Sequence, residues 1–160
     1  MTAKPDNSKS TPEAQLESFI DRFDPKAQKL FRSVRTAVRK RFPTANEMAY
    51  DYADSVVISY TPTDHGKDGI VSIAARADGV RLYLSGGPRL PDPKKLLQGS
   101  AGIVRYVPVE AVSQLDHPDV KALIAAALDQ AKIPYSSKGK GALTIRPTAA
   151  AKRPRPKPKK

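Results

Sequence analysis

The sequence predicts an α+β fold in which helices cover one face of an antiparallel sheet. Two stretches near the N-terminus repeat apolar residues every three or four positions, and a third such stretch follows residue 116. Between them lie short runs of β-branched and aromatic residues separated by turn residues, a pattern typical of strands. The expected order is two N-terminal helices, a central antiparallel sheet of four to five strands, and one C-terminal helix that packs on the sheet.

The first helix is predicted to begin at Pro12. Either Ser10 or Thr11 can cap it, and proline is favoured in the first helical turn because it needs no hydrogen-bond partner there. The helical spacing places four apolar residues on one face: Leu16, Phe19, Ile20 and Phe23.

The second helix repeats the same start signal at Asp24 and Pro25. It should extend to about Arg41, because Pro43 disfavours a helical conformation for the residue before it. Its apolar stripe contains Leu30, Phe31, Val34, Val38 and Phe42. The basic residues are expected away from that stripe: Arg32, Arg35, Arg39, Lys40 and Arg41.

The centre of the chain is predicted to form strands. Three runs are rich in β-branched and aromatic residues, a weaker extended stretch precedes them, and a fifth run contains a proline suited to an edge. Asp78 and Gly79 between two of these runs predict a tight hairpin. In chain order the predicted strands cover residues 48–52, 56–60, 70–74, 80–84 and 103–109.

The third helix is expected to begin at Asp116 or His117, with Pro118 in its first turn, and to end before Pro134. One side of it is apolar: Val120, Leu123, Ile124, Ala127, Leu128 and Ala131. A short strand at 143–145 is the last element that the pattern allows. The predicted division is a disordered N-terminal tail at 1–10, one α+β domain at 11–134, and a basic flexible tail at 135–160.

The net charge of +12 is concentrated near the C-terminus. From Lys132 onward there are ten Lys or Arg residues and no acid; removing them from the total of 28 leaves 18 basic against 16 acidic residues. The predicted domain is therefore almost neutral. The alternating prolines and bases at the end of the chain favour an extended segment that can contact phosphates or remain inert: Lys152, Arg153, Arg155, Lys157, Lys159 and Lys160.

Composition narrows the function classes. No run of about 18 apolar residues is present, and residues 1–10 contain no apolar signal-peptide core. The chain has no cysteine, which suits a reducing cytoplasm and excludes thiol chemistry. It also has no Gly-x-Ser-x-Gly elbow, and no Ser, His and Asp set is singled out by spacing. We therefore expect a cytoplasmic protein that is not an enzyme.

The glycine-rich stretch at 84–109 raises the question of phosphate binding. Neither a Walker loop nor a dinucleotide-binding pattern is present, so the glycines are expected to allow turns. Asp92 and Pro93 should cap one helical turn that ends at Leu97. The alternative is a weak anion site formed by three basic side chains: Lys94, Lys95 and Arg105.

The same stretch resembles the YdhG-like family of domains of unknown function. The resemblance covers roughly residues 12–132, and its motif pairs a Gly, a Leu-x-Asp-Pro and a Leu-Leu-x-Gly segment with an arginine in the following strand. One departure is that relatives usually carry a Gly-Lys pair before that strand, where this chain has Gly99-Ser100-Ala101-Gly102. The matching residues are Gly86, Leu90, Asp92, Pro93, Leu96, Leu97, Gly99 and Arg105.

This resemblance implies a fold similar to frataxin and a non-enzymatic module that binds a small ligand, a protein partner or weakly held iron. Frataxin-type iron handling uses exposed carboxylates on a first helix, and three lie here on one predicted helical face: Glu13, Glu17 and Asp21. A solvated helix face has the same appearance. The alternative function is accessory nucleic-acid binding through the basic C-terminal segment.

Histidines and tyrosines supply further candidates. His65 should lie in a solvated turn, and His117 should help to cap the third helix rather than bind a metal. Five tyrosines are expected in or near the sheet, where they pack across strands or line a shallow groove: Tyr50, Tyr52, Tyr60, Tyr83 and Tyr106.

Overall fold

The structure is a computed structural model of the chain, and it describes residues 11–99 and 104–148. It has an α+β architecture, which confirms the predicted fold class. The helices are α1 (Pro12–Ile20), α2 (Pro25–Arg41) and α3 (Pro118–Gln130). The strands are β1 (Asn46–Asp51), β2 (Ser55–Thr61), β3 (Val71–Arg76), β4 (Gly79–Ser85), β5 (Val104–Val109) and β6 (Leu143–Arg146).

Each helix begins where the sequence predicts it. The side chains of Thr11 and Asp24 accept hydrogen bonds from backbone N–H groups in the first turns of α1 and α2, at 3.1 and 2.8 Å. His117 Nδ1 accepts the N–H of Asp119 at the start of α3. Phe42 leaves the helical conformation before Pro43, so α2 ends at Arg41.

The strands form one sheet in the order β5-β4-β3-β2-β1-β6. The first five strands pair in antiparallel fashion with their neighbours, whereas β6 runs parallel to β1. The sheet is therefore mixed, and its sixth strand, β6, falls at the short strand that the sequence pattern allowed at 143–145. The predicted flexible tail at 135–160 is wrong for this part of the chain, because β6 is hydrogen-bonded into the sheet beyond the boundary placed at residue 134.

Two predicted turns differ in outcome. The hairpin between β3 and β4 is confirmed, with Arg76 paired to Gly79 across a two-residue turn. The helical turn predicted from Asp92 to Leu97 is wrong. The Asp92 carboxylate does accept the N–H groups of Leu96 and Leu97, but Lys95 adopts a φ of 56°, which interrupts a right-handed helix.

All three helices lie on one face of the sheet, where alternate strand residues form a continuous apolar core with Leu16, Phe31 and Leu123. The opposite face, called the open face below, carries the other set of alternate residues, from Tyr50 on β1 to Tyr106 on β5. Among the described residues, no helix has the length and apolar character needed to cross a bilayer.

Candidate functional site

A basic cleft opens at the edge of the core where three connections meet. Its walls are the β2–β3 connection, the end of β4 and the end of α3, and its volume is about 370 Å³. Gly86 turns the chain away from β4 with a φ of 73°, a conformation that glycine adopts without strain. The lining residues that matter chemically are Lys67, Asp68, Ser85, Arg89, Gln130 and Lys132.

The charges of the basic cleft are unbalanced. Lys67, Arg89 and Lys132 contribute three positive charges, and none of them forms an ion pair with a carboxylate among the described residues. Asp68 is the acid in the lining, and its Oδ2 accepts a hydrogen bond from Thr63 Oγ1 at 2.8 Å. The cleft is therefore a region of positive potential, which favours an anionic ligand.

Backbone and side-chain bonds fix the walls of the cleft. Gln130 Nε2 donates to the Arg89 carbonyl at 3.1 Å and so ties the end of α3 to the connection after β4. Ser85 N–H donates to the Ile70 carbonyl at 3.0 Å, which joins the other two walls. Buried Ile70 and Ala127 supply an apolar floor. A preformed concavity with an apolar floor and a few polar groups is typical of small-molecule sites.

A second cleft of about 620 Å³ lies between the end of α2 and the segment before β6. It also contains three basic residues, Arg39, Lys40 and Lys140. However, Arg39 Nε lies 3.6 Å from Glu47 Oε1, so that one of its positive charges is already paired. The basic cleft, whose cations have no such partner in the described chain, is the stronger candidate.

The structure does not bring Lys94, Lys95 and Arg105 into either cleft. Lys94 and Lys95 are exposed on the connection between β4 and β5. The stem of Arg105 packs against Gly87, where an added Cβ would lie 2.3 Å from Arg105 Cγ, and its guanidinium donates to the Val104 carbonyl. Gly87 therefore permits a close approach of the chain to Arg105. The anion site expected at Lys94, Lys95 and Arg105 stays a prediction, and these residues do not line either cleft.

The three carboxylates of the metal hypothesis do share one face of the first helical segment, but that face contacts arginines of α2. Both oxygens of Glu13 accept bonds from Arg35 at 2.8–2.9 Å, and Arg32 bridges Glu17 and Asp21 at 2.6 and 3.2 Å. Among the residues that the structure describes, no group of three or more His, Cys, Asp or Glu side chains could hold a metal ion. A cation would have to displace the guanidinium groups.

Arg35 forms a second, buried pair with Glu47 of β1, and both side chains are less than 10% exposed. Two bonds of 2.9 Å join the guanidinium to the carboxylate, and Tyr60 Oη donates to Glu47 Oε2 at 2.8 Å. Burial alone would lower the pKa of Arg35, but the bonds to Glu47 and Glu13 outweigh it and raise that pKa. Burial, together with the charge of Glu47, raises the pKa of Tyr60 well above its ordinary value.

The remaining candidates are placed as follows. His65 is exposed and lies 3.4 Å from Asp64 in the turn before β3, and His117 caps α3, as expected. Tyr60 faces the core, whereas the other four tyrosines lie on the open face. The basic residues Lys152, Arg153, Arg155, Lys157, Lys159 and Lys160 lie outside the described residues.

No family model, no curated protein and no solved structure matches the chain. Membership of the YdhG-like family and a relation to frataxin therefore stay predictions that rest on the motif residues.

Sequence reasoning missed both the basic cleft and the Arg35–Glu47 pair. The cleft gathers cations from three connections that are distant in the chain, and no local spacing links Lys67, Arg89 and Lys132. For the buried pair a signal exists: Arg35 stands directly beside Val34, on the border of the apolar stripe of α2. A basic residue at that border needs an acid on the facing strand.

Proposed function

We propose that the protein is a non-enzymatic binding module that holds a small anionic molecule in the basic cleft. The observation that carries this proposal is the set of three cationic side chains, Lys67, Arg89 and Lys132, which line a preformed cavity and form no ion pair with a carboxylate in the described chain. Phosphate and carboxylate groups are the anions that such side chains bind, with arginine providing paired N–H donors.

Size and lining define the ligand class further. The volume of about 370 Å³ exceeds what a single phosphate fills, and Ile70 and Ala127 offer an apolar surface to the remainder of the ligand. Gln130 and Ser85 add neutral hydrogen-bonding groups at the rim. We therefore expect a metabolite-sized molecule with at least one phosphate or carboxylate and an uncharged remainder.

The proposal also covers the cellular location of the protein and its family. The absence of cysteine is consistent with a cytoplasmic protein, and the motif resemblance is consistent with a YdhG-like domain. We do not include iron in the proposed function, because the expected carboxylate ligands Glu13, Glu17 and Asp21 already form ion pairs with Arg35 and Arg32.

The proposal is tested by NMR titration of the full chain with inorganic phosphate, pyrophosphate and a phosphorylated sugar. We expect the backbone amide signals of Ser85, Gly86 and Gln130 to shift with one common dissociation constant for each probe. The substitutions Arg89→Gln and Lys132→Gln should each weaken binding several-fold, since each removes a charge-assisted contact.

Lys94→Gln and Lys95→Gln provide matched controls, because they remove equal charge from an exposed loop outside the cleft. They should leave binding to the cleft unchanged, apart from a small long-range effect that salt suppresses. If the loop variants weaken binding as much as the cleft variants, or if amides of the cleft do not respond to any probe, the proposed function is wrong.

A further inference from the structure

The basic cleft contains hydrogen-bond acceptors as well as cations. Its three cationic side chains only donate hydrogen bonds. Three further lining residues each have a side-chain oxygen that accepts no hydrogen bond from the described chain: Asp68, Ser85 and Gln130. A ligand that fits the cleft has to match both sets, because a polar group that is desolvated without a partner costs free energy.

The carboxylate of Asp68 is held in place by the connection between β2 and β3. Thr63 Oγ1 donates to Asp68 Oδ2 at 2.8 Å, which leaves Oδ1 without a partner in the described chain. The connection is itself tied to the sheet: Asn46 Nδ2 donates to the Thr63 carbonyl at 2.9 Å, and the buried Thr61 hydroxyl donates to the His65 carbonyl at 2.9 Å. The acceptor is therefore fixed before a ligand arrives, which reduces the entropy lost on binding.

The two neutral acceptors lie where the chain leaves β4. Gln130 Nε2 donates to the Arg89 carbonyl at 3.1 Å, and this bond fixes the orientation of the amide. Its oxygen lies beside Gly86, where an added Cβ would be 3.0 Å from Oε1. Ser85 directly precedes that glycine and lines the same wall. The acceptors of the cleft are thus distributed over two walls, with Asp68 on the other one.

The charge of the lining indicates which anion the cleft binds. Three positive side chains and the one negative charge of Asp68 leave a net charge of +2, and Asp68 forms no ion pair with any of the three cations. A phosphate monoester carries a charge of about −1.5 to −2 at pH 7, whereas a carboxylate carries one negative charge. A phosphate monoester therefore matches the charge of the lining better than a carboxylate does.

The acceptors indicate the chemistry of the remainder of the ligand. Three oxygens on two walls require several hydrogen-bond donors spread over one small molecule, and the hydroxyl groups of a sugar provide this arrangement. The buried side chains of Ile70 and Ala127 offer an apolar floor to the C–H groups of such a molecule. An alkyl chain would leave all three oxygens without a donor.

We propose that the ligand of the basic cleft is a sugar phosphate and that Asp68 is the residue that selects its hydroxyl groups. This inference rests on the proposed function, because it assigns the substrate class of the same site. The cations bind the phosphate, and Asp68 Oδ1, together with the oxygens of Ser85 and Gln130, accepts hydrogen bonds from the sugar. Selectivity arises because a hydrogen bond to a charged acceptor is stronger than one between neutral groups.

Isothermal titration calorimetry of the full chain with glucose 6-phosphate and propyl phosphate tests the proposal. The two probes carry the same phosphate monoester and differ in the presence of hydroxyl groups. We expect glucose 6-phosphate to bind about 10- to 100-fold more tightly, as hydrogen bonds to a charged partner allow. Gluconate, which has the hydroxyl groups but a carboxylate as its anion, should bind more weakly than glucose 6-phosphate.

Asp68→Asn should change the affinities of the two probes in opposite directions. It removes a negative charge from the cleft, so propyl phosphate should bind as tightly as before or more tightly. Glucose 6-phosphate should lose most of its advantage, because the charged acceptor is gone. Asp64→Asn on the exposed part of the same connection is the matched control. It should change both affinities by the same small factor, which salt suppresses.

Ser85→Ala provides a second variant that leaves the charge of the cleft unchanged. It should weaken the binding of glucose 6-phosphate several-fold, since one acceptor is lost, and leave that of propyl phosphate as it is. Thermal unfolding of the Asp68 and Ser85 variants shows whether the fold is retained.

The outcomes separate this inference from the proposed function. If neither phosphate binds, the proposed function is wrong and the inference fails with it. If both bind equally and Arg89→Gln weakens both, the anion site stands but the assignment of a sugar is wrong. A parallel increase of both affinities in Asp68→Asn would mean that Asp68 acts through its charge alone, which overturns its selective role. Gluconate binding as tightly as glucose 6-phosphate would overturn the assignment of a phosphate.

Discussion

Arg35 and Glu47 join the helices to the sheet through charge rather than apolar contact. Arg35 binds Glu47 on one side and Glu13 on the other, so one guanidinium connects α2 with β1 and α1. Burying these charges costs free energy, and the multiple hydrogen bonds offset that cost only while every partner is present. The removal of one partner should therefore be much more damaging than the replacement of the whole pair.

Glu47→Ala is expected to lower the free energy of unfolding by about 3–5 kcal/mol, because Arg35 and Tyr60 both lose a buried partner. Glu17→Ala is the matched control: its pair with Arg32 is more than one-third exposed on both sides, and its loss should cost about 1 kcal/mol or less. Urea unfolding measures the free energy of unfolding of both variants. An equal loss of unfolding free energy in the two single variants would contradict the buried network. The double variant Arg35→Met, Glu47→Leu should be more stable than Glu47→Ala, and a failure to regain stability would contradict the network as well.

Tyr60 should make stability depend on pH in the alkaline range. Burial raises its pKa in the fold above the ordinary value of 10.0. The unfolded chain therefore releases this proton first, so the contribution is fully present below pH 10 and is lost as the pH rises above it. Urea unfolding on either side of pH 10 should show a steeper alkaline loss for the unsubstituted chain than for Tyr60→Phe. Parallel pH profiles would show that Tyr60 ionises as freely in the fold as in the unfolded chain.

At the scale of elements, β6 completes the sheet at the edge next to β1. Leu143 and Ile145 point to the helix-covered side and pack against the core, whereas Thr144 points to the open face. Gly141 makes the approach possible, because an added Cβ would lie 1.7 Å from the Ala45 carbonyl oxygen. The strand therefore belongs to the domain, although it follows a polar, glycine-containing connection.

Ile145→Asn should destabilise the protein by about 1–2 kcal/mol, since a fully buried Ile contributes about 1.5–3 kcal/mol and Ile145 is partly buried. Thr144→Asn is its control on the opposite face of the same strand and should stay within about 0.5 kcal/mol of the unsubstituted chain. Chemical denaturation of the two variants and of the unsubstituted chain measures these differences in unfolding free energy. A similar cost at both positions would mean that β6 does not keep the alternation described above.

The elements that sequence could predict are those specified by nearby residues. The caps at Thr11 and Asp24 and the periodicity that follows them are local, and so is the turn before Gly79. By contrast, the pattern allowed a short strand at 143–145 but not its partner, because β6 pairs with a strand about one hundred positions earlier. The basic cleft has the same origin: its cations are brought together only when three separate connections meet.

Across the whole molecule, one apolar cluster links every layer. Residues of α1, α2, α3 and the sheet belong to the same set of buried contacts, from Leu16 to Ala127. The positive charge, in contrast, is carried mainly by the chain from Lys132 onward. Substitution of the exposed Lys132, Lys138 or Lys140 should therefore weaken the electrostatic attraction of anionic ligands with little effect on the free energy of unfolding.

A single core predicts a single unfolding transition. Because no layer has an apolar cluster of its own, removal of any layer exposes the others, and small domains of this kind unfold cooperatively. Urea curves followed by far-ultraviolet circular dichroism, which reports mainly the helices, should coincide with curves followed by tyrosine fluorescence, which the lack of tryptophan leaves unmasked. Phe31→Ala should move both curves together by about 3–5 kcal/mol, since Phe31 is fully buried. Loss of the helical signal before the tyrosine signal would show instead that the helices and the sheet hold separate parts of the core.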